Sequence, residues 1–202
     1  MSSNINGLIV QAVQNFQNGN FEEAKKELKY VLNAQPGNIV ALELLGILYA
    51  KSRDLKQALE YFEKITKIKP EYEKAWSNRG NVYLELKQFD QALASYDQAV
   101  SLNPEFTEAW SNRGVTLKEL NLYDQALASF DKAIGLKPDY AQAWFNRGNT
   151  LLELKQVDQA LAAYEKAISL KEGYVDAWFN RGNALRELEQ FHRALVSKVL
   201  NF

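Results

Sequence analysis

Residues 73–106 read EKAWSNRGNVYLELKQFDQALASYDQAVSLNPEF, and two further copies follow at once, TEAWSNRGVTLKELNLYDQALASFDKAIGLKPDY and AQAWFNRGNTLLELKQVDQALAAYEKAISLKEGY. The period is 34 residues without insertion; all four tryptophans (Trp76, Trp110, Trp144, Trp178) and all four prolines (Pro36, Pro70, Pro104, Pro138) fall on it. A chain built this way does not enlarge a single core. Each copy is one supersecondary unit that cannot bury its apolar face alone, so copies must stack and the protein grows as a solenoid. The register places repeats at 5–38, 39–72, 73–106, 107–140, 141–174 and, incompletely, 175–202, all in a single domain spanning 1–202.

Within residues 73–106 the apolar and small residues recur at helical spacing. Ala75, Trp76, Arg79, Gly80 and Tyr83 share one face of a first helix, roughly Glu73–Leu86. Phe89, Ala92, Leu93, Tyr96, Ala99, Val100 and Leu102 form the stripe of a second, roughly Phe89–Leu102. The short polar turn between them, Lys87–Gln88, makes the two helices antiparallel neighbours. Asp90, Asp124 and Asp158 stand in the first turn of the second helix, where a carboxylate meets the positive end of the helix dipole. Asn103–Pro104 ends that helix, because the residue before a proline disfavours helical backbone. Gly80 and Ala92 let the helices of a repeat approach closely, and Trp76 and Tyr83 are the large side chains expected to fill the remaining space. On that reading Trp110→Ala costs roughly 3–5 kcal/mol, the range for a buried aromatic.

The set Trp76, Gly80, Tyr83, Ala92, Tyr96, Ala99, Pro104 resembles the tetratricopeptide repeat. It returns as Trp110, Gly114, Leu117, Ala126, Phe130, Ala133, Pro138, and again as Trp144, Gly148, Leu151, Ala160, Tyr164, Ala167, with Glu172 in the proline place. Divergent copies precede (Leu8, Ala12, Ala24, Leu28, Val31, Pro36; Leu42, Gly46, Tyr49, Ala58, Phe62, Ile65, Pro70), and Trp178, Gly182, Leu185 and Ala194 open a sixth. The resemblance implies an all-α, right-handed superhelical solenoid of antiparallel helix pairs, whose first helices line a concave groove. The family often places glycine in the turn between helices. Here Gly19 keeps it, while Lys87, Asn121, Lys155 and Glu189 stand in its place. In the sixth repeat Lys198 stands where an aromatic is expected, and no polar capping helix follows.

The chain carries little for catalysis. It has no cysteine and one histidine, His192, so thiolate zinc sites, cysteine nucleophiles and a Ser-His-Asp triad have nothing to build on. No glycine-rich phosphate loop is present, and the carboxylates recur with the solenoid as a solvated face rather than as a catalytic pair. No enzyme activity, cofactor or metal is expected. A net charge of −1 gives no electrostatic basis for nucleic acid or an anionic membrane. The N-terminus lacks a basic segment and a long apolar run, which reads as a cytoplasmic protein.

A different signal runs along the first helices. Asn78, Asn112, Asn146 and Asn180 recur two residues after each tryptophan. Asparagine is a mediocre helix former, so its recurrence calls for a reason. The resemblance implies that this position faces the groove, where an amide can donate to a peptide carbonyl and accept from a peptide N–H. Such ladders hold peptide backbone in tetratricopeptide proteins of the peroxisomal targeting-receptor and O-GlcNAc transferase kinds. Helical spacing adds neighbours on the same face: Lys74, Ser77, Asn81 and Glu85; Glu108, Ser111, Val115 and Glu119; Gln142, Phe145, Asn149 and Glu153; Asp176, Phe179, Asn183 and Glu187. Phe145 and Phe179 read as apolar anchors in a polar groove or as packing against the next repeat. The partner expected is a protein or peptide segment in the groove. A chaperone C-terminus is not expected. Lys74, Asn78 and Asn112 match the carboxylate clamp of chaperone-docking relatives, but Gln142 and Asn146 replace its basic pair. Arg79, Arg113, Arg147 and Arg181 precede the glycines without a carboxylate three or four residues away. They read as stems packed at the helix seam, each guanidinium reaching a neighbouring carboxylate, or as a basic ladder for acidic partners.

Two rival readings belong to other classes. Residues 15–50 resemble the lead repeats of glycosyltransferases of the O-GlcNAc transferase type, so the chain could be the recognition arm of a larger enzyme. Leu8, Ile9, Val13 and Phe16 at one end, with Leu195, Val199 and Phe202 at the other, would let copies associate head to tail through uncapped ends.

Overall fold

The computed structural model describes residues 2–200, with side chains over 5–189. Among the described residues there are eleven α-helices and no strand: α1 (Ser2–Gln17), α2 (Phe21–Ala34), α3 (Ile39–Lys51), α4 (Leu55–Ile68), α5 (Glu73–Glu85), α6 (Phe89–Leu102), α7 (Thr107–Glu119), α8 (Tyr123–Leu136), α9 (Ala141–Glu153), α10 (Val157–Leu170) and α11 (Val175–Leu200). The chain divides into two compact units, Met1–Pro104 and Glu105–Phe202. In the N-terminal unit α1 pairs with α2, α3 with α4 and α5 with α6, while the first helices α1, α3 and α5 lie side by side. In the C-terminal unit α7 pairs with α8 and α9 with α10, α11 packs on α10, and α7, α9 and α11 lie side by side.

The turn inside each pair is the same object five times. Gly19, Arg53, Lys87, Asn121 and Lys155 all have positive φ, at 81°, 64°, 57°, 59° and 60°. The next residue's N–H then closes back on the carbonyl five residues earlier, as Gln88 does to Tyr83 at 2.9 Å, and Lys87 donates to Leu84 at 3.0 Å. These two bonds satisfy carbonyls that the helix end leaves open, the Schellman arrangement. Arg53 belongs to this series, although sequence reasoning did not place it there. The Arg53 and Lys155 side chains reach Glu85 (3.1 Å) and Glu187 (2.9 Å) on the following first helix, so a long cation at this position tethers adjacent repeats.

Gly80 and its counterparts are buried for a specific reason. A Cβ added to Gly46, Gly80, Gly114 or Gly148 would lie 2.8, 2.8, 2.6 and 2.6 Å from the ring of Phe62, Tyr96, Phe130 and Tyr164 respectively. Each ring comes from the second helix of the same repeat, and all four are fully buried. The expectation that the tryptophans fill the core is corrected here. Trp76, Trp110 and Trp144 are only half-buried and Trp178 is exposed. Trp76, Trp144 and Trp178 tie the first helix to the preceding turn. The indole N–H of Trp76 donates to the Pro70 carbonyl (2.7 Å), that of Trp144 to Pro138 (3.0 Å) and that of Trp178 to Glu172 (3.1 Å). Glu172 serves as well as proline because only a main-chain oxygen is needed.

The last repeat departs from the others. α11 runs unbroken from Val175 to Leu200, so the turn expected at Glu189 is absent and that residue is helical. A break there would hold a glutamate in left-handed backbone and turn Lys198, rather than a ring, toward the glycine of its own first helix. Gly182 accordingly has nothing within 4 Å of where its Cβ would stand. Its outer surface stays open, with Val175, Trp178, Phe179 and Leu185 exposed. The side chains of His192, Leu195, Lys198 and Val199, and all of Phe202, lie outside the described residues.

Candidate functional site

Asn78, Asn112, Asn146 and Asn180 occupy the same position on α5, α7, α9 and α11, and each is half-buried. Their amides are engaged differently. Among the described residues Asn78 has no side-chain hydrogen-bond partner, and it lines an open concavity between α3 and α5. Asn146 accepts from the Gln142 amide at 3.2 Å, which leaves its own two N–H donors unused. Asn180 donates to Asn149 Oδ1 at 2.8 Å, a bond between adjacent first helices, and keeps its carbonyl. Asn112 lies on α7, next to α9.

The neighbours expected on this face divide into open and internal positions. Lys74 is exposed. Ser77 and Ser111, expected to face the groove, are buried at 2% and 1% exposure. The small side chain of Ser111 lets Tyr140, at the start of α9, come down. The Tyr140 hydroxyl bonds to Ser111, and burial pushes that phenol up from its ordinary pKa. At the same position Glu43 accepts from Tyr72 OH at 3.0 and 2.9 Å, and burial together with that carboxylate pushes Tyr72 up to about 12. Phe145 does the apolar version of this job, 4.9 Å from the Tyr174 ring and 6.1 Å from Tyr164. Phe179 has no such partner and is 67% exposed.

Asn81 and Asn149 each take a buried hydroxyl: Tyr96 OH donates to Asn81 Oδ1 at 2.6 Å and Tyr164 OH to Asn149 Oδ1 at 2.9 Å. Where the ring is phenylalanine (Phe62, Phe130) the residue fifteen positions earlier is apolar, Ile47 or Val115. That pairing was present in the sequence and could have identified the bond. Asn183, whose repeat lacks the ring, instead accepts from Arg186.

The arginines settle on the internal reading. Arg79 Nε donates to Ser95 Oγ (3.1 Å) and Arg113 to Ser129 Oγ (2.7 Å), while Arg147 pairs with Asp131 (2.7 Å) and Arg181 with Glu165 (2.8 Å). The guanidinium groups of Arg79, Arg113 and Arg181 lie 4.3, 5.7 and 5.9 Å from the ring centres of Trp76, Trp110 and Trp178. Burial lowers the Arg79 pKa from its ordinary value, against the raising effect of Tyr83 and Glu63. Among the described residues no group of histidine, aspartate or glutamate could hold a metal ion, and no helix is long and apolar enough to cross a membrane.

Helix pairs locked by a ring on a glycine, with polar residues along adjacent first helices, define a helical-repeat protein of the interaction class. The chain belongs to the tetratricopeptide repeat family: family models of that description match residues 15–81, 73–106, 95–128, 113–175 and 146–198. Among solved structures, MamA is similar with a TM-score of 0.76 at 22% identity, over 87% of this chain and 96% of that one. TTC0263 of Thermus thermophilus, a thermophilic TPR protein, gives 0.71 at 23%, over 90% and 98%. YrrB, described as a TPR protein with an unusual peptide-binding site, gives 0.73 at 26%, over 87% and 90%. A stretch of 70 residues, 35% of this chain, is 31% identical to the UDP-N-acetylglucosamine–peptide N-acetylglucosaminyltransferase of Caenorhabditis elegans. That match covers 6% of the enzyme's length.

Proposed function

We propose that the chain is a non-catalytic interaction scaffold that binds an extended peptide segment along its first helices, with the recurrent asparagines holding the peptide backbone. In the C-terminal unit the grip comes from Asn112, Asn146 and Asn180; in the N-terminal unit it comes from Asn78, with Lys74 beside it. The observation that carries the reading is the state of the amides: among the described residues Asn78 has no internal partner, and Asn146 and Asn180 keep donors or an acceptor to spare. Family membership supports it, and so does the likeness to YrrB. Asn149 contributes through its N–H groups, since its oxygen holds Tyr164 and Asn180. Asn183 and Phe179 are accessory positions on α11, and Phe145 shapes the face from beneath. The scaffold acts in the cytoplasm.

The test uses peptides selected from a random display library against the whole chain. Asn112→Ala combined with Asn146→Ala should weaken peptides of unrelated sequence by about thirtyfold, since each of the two lost hydrogen bonds contributes about 1 kcal/mol. Undiminished affinity with unchanged far-UV circular dichroism would overturn the reading.

A second reading is favoured by the 31% identity over 70 residues to the C. elegans transferase: the chain is a substrate-recognition arm of a larger glycosyltransferase. The reading frame beyond Phe202 discriminates, since a catalytic domain there supports the arm and a stop codon supports a free adaptor. Head-to-tail self-association is the third reading, and light scattering over a concentration series tests it.

A further inference from the structure

The concavity beside Asn78 has a volume of about 230 Å³. Phe62 and Val82 form its buried floor, and Ile47, Ala50, Asn78 and Asn81 its walls, with Lys51 and Glu85 at the rim. It is apolar for a reason found in the second helix. Phe62 has no hydroxyl, so the residue above it needs no acceptor and is Ile47, where the tyrosine-bearing repeats carry Asn81 and Asn149. Position 82 is likewise valine where the next two repeats have Thr116 and Thr150. Of the rim charges, Glu85 pairs with Arg53 at 3.1 Å, and the Lys51 ammonium is drawn to the Phe16 and Phe21 rings, 5.1 and 5.6 Å from their centres. A charged side chain reaching the Phe62 and Val82 floor would lose water and find no counter-charge on that floor. An uncharged aliphatic one would gain the apolar floor.

We propose that this concavity is a side-chain subsite for an aliphatic residue of the bound peptide, with Asn78 holding the peptide bond next to that residue. The proposal rests on the peptide-binding reading and adds the ligand's chemistry. An asparagine grip on backbone is indifferent to sequence, whereas a neutral, apolar concavity in the N-terminal unit selects leucine, isoleucine or methionine over aspartate, lysine or glycine.

The test follows the asparagine side-chain amide resonances of the whole chain by NMR as three blocked tripeptides are added: N-acetyl-Gly-Leu-Gly-amide, its Gly-Gly-Gly counterpart and its Gly-Asp-Gly counterpart. The leucine probe should shift the Asn78 amide with a dissociation constant about tenfold below that of the glycine probe, as burial of one aliphatic side chain implies. The aspartate probe should bind more weakly than either. Ile47→Asn installs the amide that the tyrosine-bearing repeats carry there, at a half-buried position where it can reach water, and far-UV circular dichroism checks that the fold is kept. It should reduce the leucine probe to the level of the glycine probe, while Ile47→Val keeps most of the advantage. Equal constants for leucine and glycine, or a leucine advantage that survives Ile47→Asn, would overturn the subsite. If the glycine probe moves the Asn112 and Asn146 amides in either case, the backbone grip stands without the subsite. If no probe moves any asparagine amide, both fall.

Discussion

A glycine and a ring decide most of the stability at single positions. Gly148 faces the fully buried Tyr164, with its would-be Cβ 2.6 Å from a ring carbon. Gly148→Ala should therefore cost about 1–3 kcal/mol through overpacking. Gly182 occupies the same sequence position with nothing within 4 Å, so Gly182→Ala should stabilise α11 by up to about 1 kcal/mol through helix propensity alone. Urea unfolding of the two variants reads the opposite signs directly. The same logic reverses the expectation for the tryptophans: Phe130→Ala should destabilise more than Trp110→Ala, because Phe130 is fully buried and Trp110 half-buried. Titration gives a further test. Burial is the main reason that the phenols of Tyr72, Tyr164 and Tyr174 are each pushed up to about 12. The fold thus favours their neutral forms. The stability they contribute is complete below the unfolded value near 10 and is lost as pH rises from about 10 to about 12. Melting temperature should fall across that interval, and replacing the three with phenylalanine should flatten the fall.

At the scale of the element, the turn after each first helix carries a cost that its side chain partly offsets. Lys87 sits at φ 57°, in backbone that glycine accepts without a Cβ penalty. Lys87→Gly should stabilise the protein by about 1 kcal/mol. Lys155→Gly should gain less, because it also removes the exposed pair with Glu187. Chemical denaturation of the two variants compares them. Helix limits were readable from sequence to within a residue, since period, proline and turn chemistry all agree: the expected Phe89–Leu102 is the observed α6, and the expected Glu73–Leu86 ends at Glu85. What lies across a helix pair was harder to read. Ser77 looks like a groove residue at helical spacing, yet it is buried because close packing at that seam demands a small side chain rather than an apolar one. Val82, also buried, carried no special mark. Asn81 was legible in principle, through the coincidence of asparagine with tyrosine fifteen residues on. α11 shows the limit of periodicity: the repeat pattern continues past Glu189, but without a ring for Gly182 the second helix loses its main contact and the helix runs on.

At the scale of the whole molecule, nearly every strong side-chain interaction closes a repeat or joins it to its neighbour: the arginines bind serines and carboxylates, the indoles bind carbonyls, and the tyrosines bind asparagines or glutamate. Among the described residues Asn78, Asn146 and Asn180 keep hydrogen-bonding capacity, and that remainder is the basis of the proposed function. The measurement that tests it most directly is a calorimetric cycle. One selected peptide and its backbone N-methylated counterpart are each titrated into the wild-type chain and into the Asn112→Ala/Asn146→Ala variant. If the asparagines hold peptide N–H and carbonyl groups, N-methylation should weaken binding to the wild type by about tenfold and have little further effect on the variant, a coupling of about 1 kcal/mol or more. The same loss on both proteins would contradict the account, because the backbone would then be held elsewhere.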